Sequence, residues 1–268
     1  MPEGPEVRII GESLAKQVSS KKITAINVLS GRYTKKPLPG LDYALSNTPL
    51  DIVGVGVHGK FMYWITRNDV FLYNTLGMTG RWSNVETSHA RVEFCFDDGK
   101  KIFFEDQRNF GTLKFVVGRE NLISKLNGLG PDLLASNIPD TDFIDRLRKK
   151  EKWSVCKALM DQSVVAGIGN YVKAESLWRA RLSPHRPIED ITDQEMSNLR
   201  KCCQEVLYES YSSGGASIKT YTRPDGTLGQ YSQRFAVYNQ KTDPDGNNVV
   251  KEKTSDGRTT HWVPSIQF

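Results

Sequence analysis

Apolar side chains at Val7, Ile10, Leu14 and Val18 recur at helical spacing behind Pro2, and the pattern stops at Ser19-Ser20-Lys21-Lys22. This predicts one amphipathic helix. From Ile23 to Val117 the signal changes to short β-branched and aromatic runs: Ile23–Leu29, Ile52–Val57, Phe61–Thr66, Val70–Tyr73, Val92–Phe96, Ile102–Phe104 and Leu113–Val117. Asp97-Asp98-Gly99-Lys100 supplies a hairpin turn between two of them, and strands at this density predict a two-layer β-sandwich. Beyond Asn127-Gly128-Leu129-Gly130-Pro131, which reads as a linker, the pattern predicts helices over Thr141–Lys149, Val155–Asp161, Asn170–Ala180 and Thr192–Tyr211. Thr192 with Glu195 three residues on forms a capping box for the last. The glycines of Val164–Asn170 predict a tight turn ending at a helix start, suited equally to an anion contact and to a plain connection. Ser212–Gln230 reads as a mobile loop of functional length, and Phe235–Phe268 as a β-hairpin turning at Asp243-Pro244-Asp245-Gly246. The expected class is α+β.

With 268 residues the chain can form two modest domains with a core that needs no staples. Lysine and arginine number 36 against 31 acids, giving +5, so an anionic partner fits, although many enzymes of small metabolites are as basic. The four cysteines, Cys95, Cys156, Cys202 and Cys203, include no CxxC pair. They predict neither a metal site nor a disulfide framework, and a reducing interior is the default. No apolar run is long enough to span a bilayer, and charge begins at Glu3. The expectation is a soluble intracellular protein with no membrane contact, nucleus and cytoplasm being left open.

Chemistry is concentrated in Pro2-Glu3-Gly4-Pro5-Glu6-Val7. Removal of Met1 would leave a secondary amine beside carboxylates. An α-amino group titrates near ~8 and a lysine near ~10.4, so a terminal amine carries far more neutral nucleophile at pH 7. A secondary amine also condenses to an iminium that is cationic without further protonation, an electron sink for elimination at the neighbouring carbon. Glu3 could protonate a ring oxygen and Glu6 could orient the amine. Taken alone, the same residues would also simply open a helix.

The blocks Pro2–Val7, LGMTG at 76–80, RNFG at 108–111, LMDQ at 159–162, AGIGNY at 166–171, GGASIKTY at 214–221 and GRTTHWVP at 257–264 fall in one order along the whole chain. Together they resemble the formamidopyrimidine-DNA glycosylase and endonuclease VIII family. The resemblance implies a bifunctional DNA glycosylase and abasic-site lyase that needs no cofactor, acts as a monomer and has damaged duplex DNA as its partner. It implies a sandwich domain over 1–130, a helix-two-turn-helix domain with a capping loop over 131–229, and a finger over 230–268. Pro2 matches the Schiff-base nucleophile, Glu3 the acid that assists deoxyribose opening, and Glu6 a supporting carboxylate. Lys60, Asn170 and Arg258 match phosphate-holding residues, and His89 is placed with the DNA contacts. Met78, Arg108 and Phe110 match the residues that fill the gap left by a flipped base, two apolar groups for the neighbouring bases and a guanidinium for the orphaned partner. Without the resemblance, Met78 and Phe110 read as core residues of sandwich loops and Lys60 as a solvated lysine at a strand start.

Two positions depart from the family pattern. Most relatives carry a zinc finger with two CxxC pairs, whereas the second pair here falls on Val263 and Ile266 and no cysteine follows Cys203. Four-thiolate binding is impossible, and the chain resembles the zincless branch, with packing in place of metal. Cys156 stands where relatives usually have a lysine near the lesion, and Lys157 would point elsewhere on a helix. The loop around Ser217, Ile218, Lys219, Thr220 and Tyr221 resembles the capping loop that grips an oxidised purine. With Met78, Arg108 and Phe110 it implies oxidised and ring-opened purines opposite cytosine, removed through β- and δ-elimination. The alternatives are oxidised pyrimidines and hydantoins, a catalytically silent damaged-DNA-binding protein, and a general basic nucleic-acid module that would leave the N-terminal group unexplained.

Overall fold

The computed structural model describes residues 2–216 and 229–268. The predicted capping-loop residues Ser217, Ile218, Lys219, Thr220 and Tyr221, and most of the predicted mobile loop, lie outside the described residues. The described chain divides into two compact units, one of Pro2 with 6–127 and one of 3–5, 128–216 and 229–268.

In chain order the first unit carries most of α1 (Gly4–Val18), then β1 (Lys22–Val28), α2 (Arg32–Lys35), α3 (Leu41–Ser46), β2 (Leu50–His58), β3 (Phe61–Thr66), β4 (Val70–Thr75), β5 (Gly80–Ser83), β6 (Ala90–Phe96), β7 (Lys101–Asp106), β8 (Thr112–Val117) and α4 (Arg119–Asn127). The strands run antiparallel in the order β5-β7-β6-β1-β2-β3-β4-β8. β1 and β2 join through only Lys22↔Asp51 and Ile23↔Leu50, which lets the ladder fold into the two layers of a sandwich. Alternation puts Trp64 of β3, Trp82 of β5, Phe94 of β6 and Phe104 of β7 in one core, with ring centroids 5.1–5.5 Å apart. The apolar stripe of α1, with Val7, Ile10, Leu14 and Val18, is buried in the same core. Gly11 permits its close approach to β2, because a Cβ there would lie 2.3 Å from the Val57 side chain.

The second unit holds α5 (Asp140–Arg148), α6 (Val155–Met160), α7 (Asn170–Arg179), α8 (Asp193–Ser212) and a two-stranded finger of β9 (Val250–Lys253) and β10 (Thr259–Trp262). The predicted capping box forms: the Glu195 N–H donates to Thr192 Oγ1 at 3.3 Å and the Thr192 N–H to Glu195 Oε2 at 2.8 Å. The Asn127–Pro131 stretch is more tightly held than a linker. Gly130 N–H donates to the Gln162 carbonyl at 2.8 Å, and Ala166 N–H to the Pro131 carbonyl at 2.9 Å.

The finger turns at a different place from the one predicted. Asp243–Gly246 does form a turn, but its carboxylate closes the loop on the N–H groups of Asp245 and Asn247, and only the isolated bridge Thr242↔Asn248 flanks it. The paired strands β9 and β10 are joined by Thr254–Arg258, around Asp256-Gly257, where Gly257 takes φ 75°. Both sites carry the Asp-Gly signal, and only the second is flanked by paired strands. The short helices α2 and α3, the helix α4 and the edge strand β5 lie outside the predicted elements.

The finger is pinned to α7 from below. Buried Glu175 accepts the N–H groups of Ala236, Val237 and Tyr238 at 2.9, 3.0 and 2.8 Å. Burial nevertheless pushes its carboxyl up, against the pull of those donors. Val263 and Ile266, at the positions of the missing cysteines, pack with Ala174, Val237 and Val249. No group of three His, Cys, Asp or Glu side chains that could hold a metal occurs among the described residues.

His261 on β10 is buried, and neither ring nitrogen has a hydrogen-bond partner. Burial, with Lys251 and Lys173 nearby, holds its pKa below the ordinary 6.5. A histidine with a depressed folded pKa contributes stability that is full above the unfolded value and is lost as pH falls below it. The melting temperature is therefore expected to drop between pH 7 and pH 5 more in the natural protein than in His261→Phe. Parallel curves for the two would remove this role.

Candidate active site and nucleic-acid interface

Helix α7 begins at Asn170 behind Gly169, which offers no side-chain cap. The first N–H groups of a helix have no partner within it. Two of them are taken by Glu3: Tyr171 N–H donates to one carboxylate oxygen at 2.9 Å and Val172 N–H to the other at 3.2 Å. The positive end of the helix dipole adds to this attraction. Glu3 is 2 % exposed, and its neighbour Gly4 donates its N–H to the Gly167 carbonyl at 2.9 Å. The glycine turn predicted at 164–170 thus receives a carboxylate of its own chain. Gly169 is required there because a Cβ would lie 2.2 Å from the Glu3 carboxyl carbon.

The turn is braced by Gln162 of the LMDQ block, whose side chain donates to the carbonyls of Met160 and Ile168 and accepts the Gly167 N–H, at 3.1, 3.1 and 3.0 Å. Sequence reasoning used this block without seeing its task. A glutamine just before a glycine turn is the available signal, because such a turn strands several backbone groups.

Pro2 and Glu6 are buried, Glu6 at 1 % exposure in the first turn of α1. Lys60 is half-buried and sits in the two-residue turn between β2 and β3, behind Gly59 with φ 58°, rather than at a strand start. His89 lies half-buried just before β6. Cys156 is fully buried, and the Lys157 ammonium lies 4.2 Å over the Trp153 ring.

Met78, Arg108 and Phe110 come together at the tips of two loops. The Arg108 guanidinium contacts the Met78 sulfur at 3.3 Å and lies 4.7 Å over the Phe110 ring. Phe110 is 53 % exposed, so the core reading of this residue is wrong: the loop turns its ring outward. The turn that does so is built on Asp106, 1 % exposed, which accepts the Arg108 N–H at 3.2 Å, the Gly111 N–H at 2.6 Å and the Thr79 hydroxyl. Gly77 and Asn109 take φ 58° and 56°, and a Cβ on Gly77 would meet the Phe110 carbonyl carbon at 2.7 Å. Asp106 escaped sequence reasoning, although an aspartate two residues before an exposed arginine is a turn signal.

Asp106→Asn replaces an acceptor by a donor facing N–H groups, a mismatch that costs about 1–3 kcal/mol when buried. For the glycosylase activity that the resemblance implies, excision from duplex DNA is expected to fall roughly tenfold. Cleavage at a preformed abasic site should change much less, since no base has to be replaced. Equal losses in the two assays would mean the loop has no gap-filling task.

Asn170 Nδ2 donates to the Thr259 carbonyl at 2.8 Å, while its Oδ1 is buried without a partner. Arg258 is exposed at the finger turn.

The formamidopyrimidine-DNA glycosylase N-terminal domain profile matches residues 1–113, the H2TH domain profile 129–222 and the C-terminal domain profile 224–268. A formamidopyrimidine-DNA glycosylase of Cytobacillus firmus is 31 % identical over all of both chains. The chain belongs to the formamidopyrimidine-DNA glycosylase family. The crystal structure of MutM (Fpg) from Thermus thermophilus is similar with a TM-score of 0.88 at 30 % identity, covering 99 % of this chain and 98 % of that one. A Lactococcus lactis Fpg mutant in complex with DNA containing Fapy-dG superposes with a TM-score of 0.88 at 26 % identity, with 99 % of each chain covered. Within this family fold, no helix among the described residues is long and apolar enough to cross a membrane.

Proposed function

We propose that this family member is a bifunctional DNA glycosylase and abasic-site lyase of base excision repair, acting inside the cell on oxidised and ring-opened purines in duplex DNA. The observation that carries this reading is the buried Glu3, bonded by both oxygens to the start of α7 directly beside residue 2. A nucleophile at residue 2 is thereby attached to a carboxylate that cannot wander. Both Glu3 oxygens accept N–H groups, the pattern of a carboxylate rather than an acid.

With Met1 removed, the Pro2 nitrogen attacks C1′ of the flipped nucleotide, the glycosidic bond breaks and the base departs with the bonding pair. The proton released from the attacking nitrogen passes to Glu3 and from there to the ring oxygen, which opens the sugar to an iminium. As a C2′ proton passes to water, the iminium accepts the C–H electrons and the 3′ phosphate leaves in β-elimination; loss of the C4′ proton then expels the 5′ phosphate in δ-elimination, and water hydrolyses the iminium to release Pro2. Lys60, Asn170 and Arg258 hold phosphates, His89 contacts the DNA, and Glu6 supports the amine. Met78, Arg108 and Phe110 occupy the gap, which the exposure of Phe110 supports. The segments 1–130, 131–229 and 230–268 serve as sandwich, helical and finger domains of a monomer.

The test is excision from a panel of duplexes with single lesions. Oxidised or ring-opened purines opposite cytosine are expected to give kcat/KM at least about tenfold above oxidised pyrimidines, about 1.4 kcal/mol of discrimination. The nicked strands should carry phosphate on both sides of the gap. The reverse ranking would replace the purine reading by the pyrimidine and hydantoin one. Tight binding with no excision of any lesion would leave a silent damage-binding protein.

A further inference from the structure

Inside the second unit the Lys173 ammonium of α7 lies 2.5 Å from Asp256 Oδ2, with the two side chains 0 % and 2 % exposed. Removing two charges from water is costly, and such a pair is often replaceable by apolar groups without loss of stability. Its presence beside a small apolar cluster of Ala174, Val237, Val249, Val263, Trp178, Tyr238 and Ile266 calls for a reason other than stability. The other oxygen of Asp256 supplies one. It accepts the Thr254 hydroxyl at 2.6 Å and the backbone N–H of Arg258 at 3.1 Å. One carboxylate therefore bonds helix α7 through one oxygen and the turn that presents Arg258 through the other. Burial opposes its ionisation, but Lys173, Thr254 and the Arg258 N–H together hold the carboxyl below the usual range.

The same helix fixes the turn at a second point, where Asn170 Nδ2 holds the Thr259 carbonyl at 2.8 Å. Asn170 and Lys173 stand three residues apart on one face of α7 and grip the residues on either side of Arg258. We propose that the Lys173–Asp256 ion pair is the positioning clamp of the finger, setting Arg258 against a DNA phosphate in register with Asn170. Lys173 and Asp256 are positioning residues and touch no substrate. The proposal rests on the reading of Arg258 as a phosphate contact.

Single variants would leave one charge buried and unpaired and so confound folding with function. The neutral pair Lys173→Met/Asp256→Asn avoids this, because asparagine keeps an acceptor for the turn. Affinity for a duplex carrying a non-cleavable abasic analogue is measured across a salt series, for the natural protein, Arg258→Ala, the neutral pair and the triple variant. Each lost phosphate contact lowers the slope of log affinity against log salt by about one. The neutral pair is expected to bind roughly tenfold or more weakly, with the reduced slope of Arg258→Ala. Adding Arg258→Ala to it should cost nothing further. A neutral pair that keeps the natural slope, that loses affinity additively with Arg258→Ala, or that does not fold would overturn the clamp in favour of a purely structural pair. A natural slope in Arg258→Ala itself would instead show that the phosphate assignment had failed and taken the clamp with it.

Discussion

Borohydride added to the mature protein with an abasic-site duplex is expected to fix a covalent adduct of one chain and one DNA strand, with the bond on residue 2. The reason is local: a proline nitrogen at a chain start is a secondary amine with a pKa near ~8, and its imine is a permanent cation that hydride reduces. Protein that keeps Met1 has an amide at that nitrogen and should bind the duplex without forming the adduct. Pro2→Gly keeps a terminal amine but makes it primary, so trapping should persist while the balance of β- to δ-elimination changes. The effect of blocking the amine is total, because the amide nitrogen's lone pair is delocalised into the carbonyl and is not available for attack. A trapped adduct mapped to a lysine would move the nucleophile elsewhere.

Gly169→Ala is expected to lower base excision by about 10²-fold with little change in affinity for an abasic-analogue duplex. A methyl group 2.2 Å from the Glu3 carboxyl carbon cannot be accommodated beside it, so the carboxylate has to leave the N–H groups of Tyr171 and Val172. Displacements of about 1 Å at a reacting group cost rates of this size. Glu3→Gln reaches a similar loss by another path, since an amide cannot carry the proton between amine and ring oxygen and offers one acceptor where the helix start needs two. The two substitutions together should be no worse than the stronger alone, because both disable one group. Full excision by Glu3→Gln would remove its assigned task, and full excision by Gly169→Ala would separate that task from its seat on α7.

Much of the fold could be read from local pattern. The stripe of α1, the alternating runs and the Thr192 box each reflect short-range energetics that survive into the structure. The finger turn was misplaced because two Asp-Gly pairs are equivalent locally, and only the pairing of Val250–Lys253 with Thr259–Trp262 distinguishes them. The core alternative for Phe110 failed for a related reason. Hydrophobicity says that a ring prefers burial, and it takes the Asp106 bonds to Arg108 and Gly111 to turn that ring outward.

The order of residues by itself determined that Pro2 precedes Glu3, that the chain has no thiolate beyond Cys203 to bind a metal in its last segment, and that a glycine turn leads into a helix at Asn170. Adjacency and absence need no folding to be true. Tertiary structure alone decided that Glu3 meets Tyr171 and Val172 across 168 and 169 positions, and that Lys173 meets Asp256 across 83. Hydrogen bonds and ion pairs of that reach depend on atoms brought within about 3 Å by burial of the cores around them, and no local preference of either partner encodes that distance.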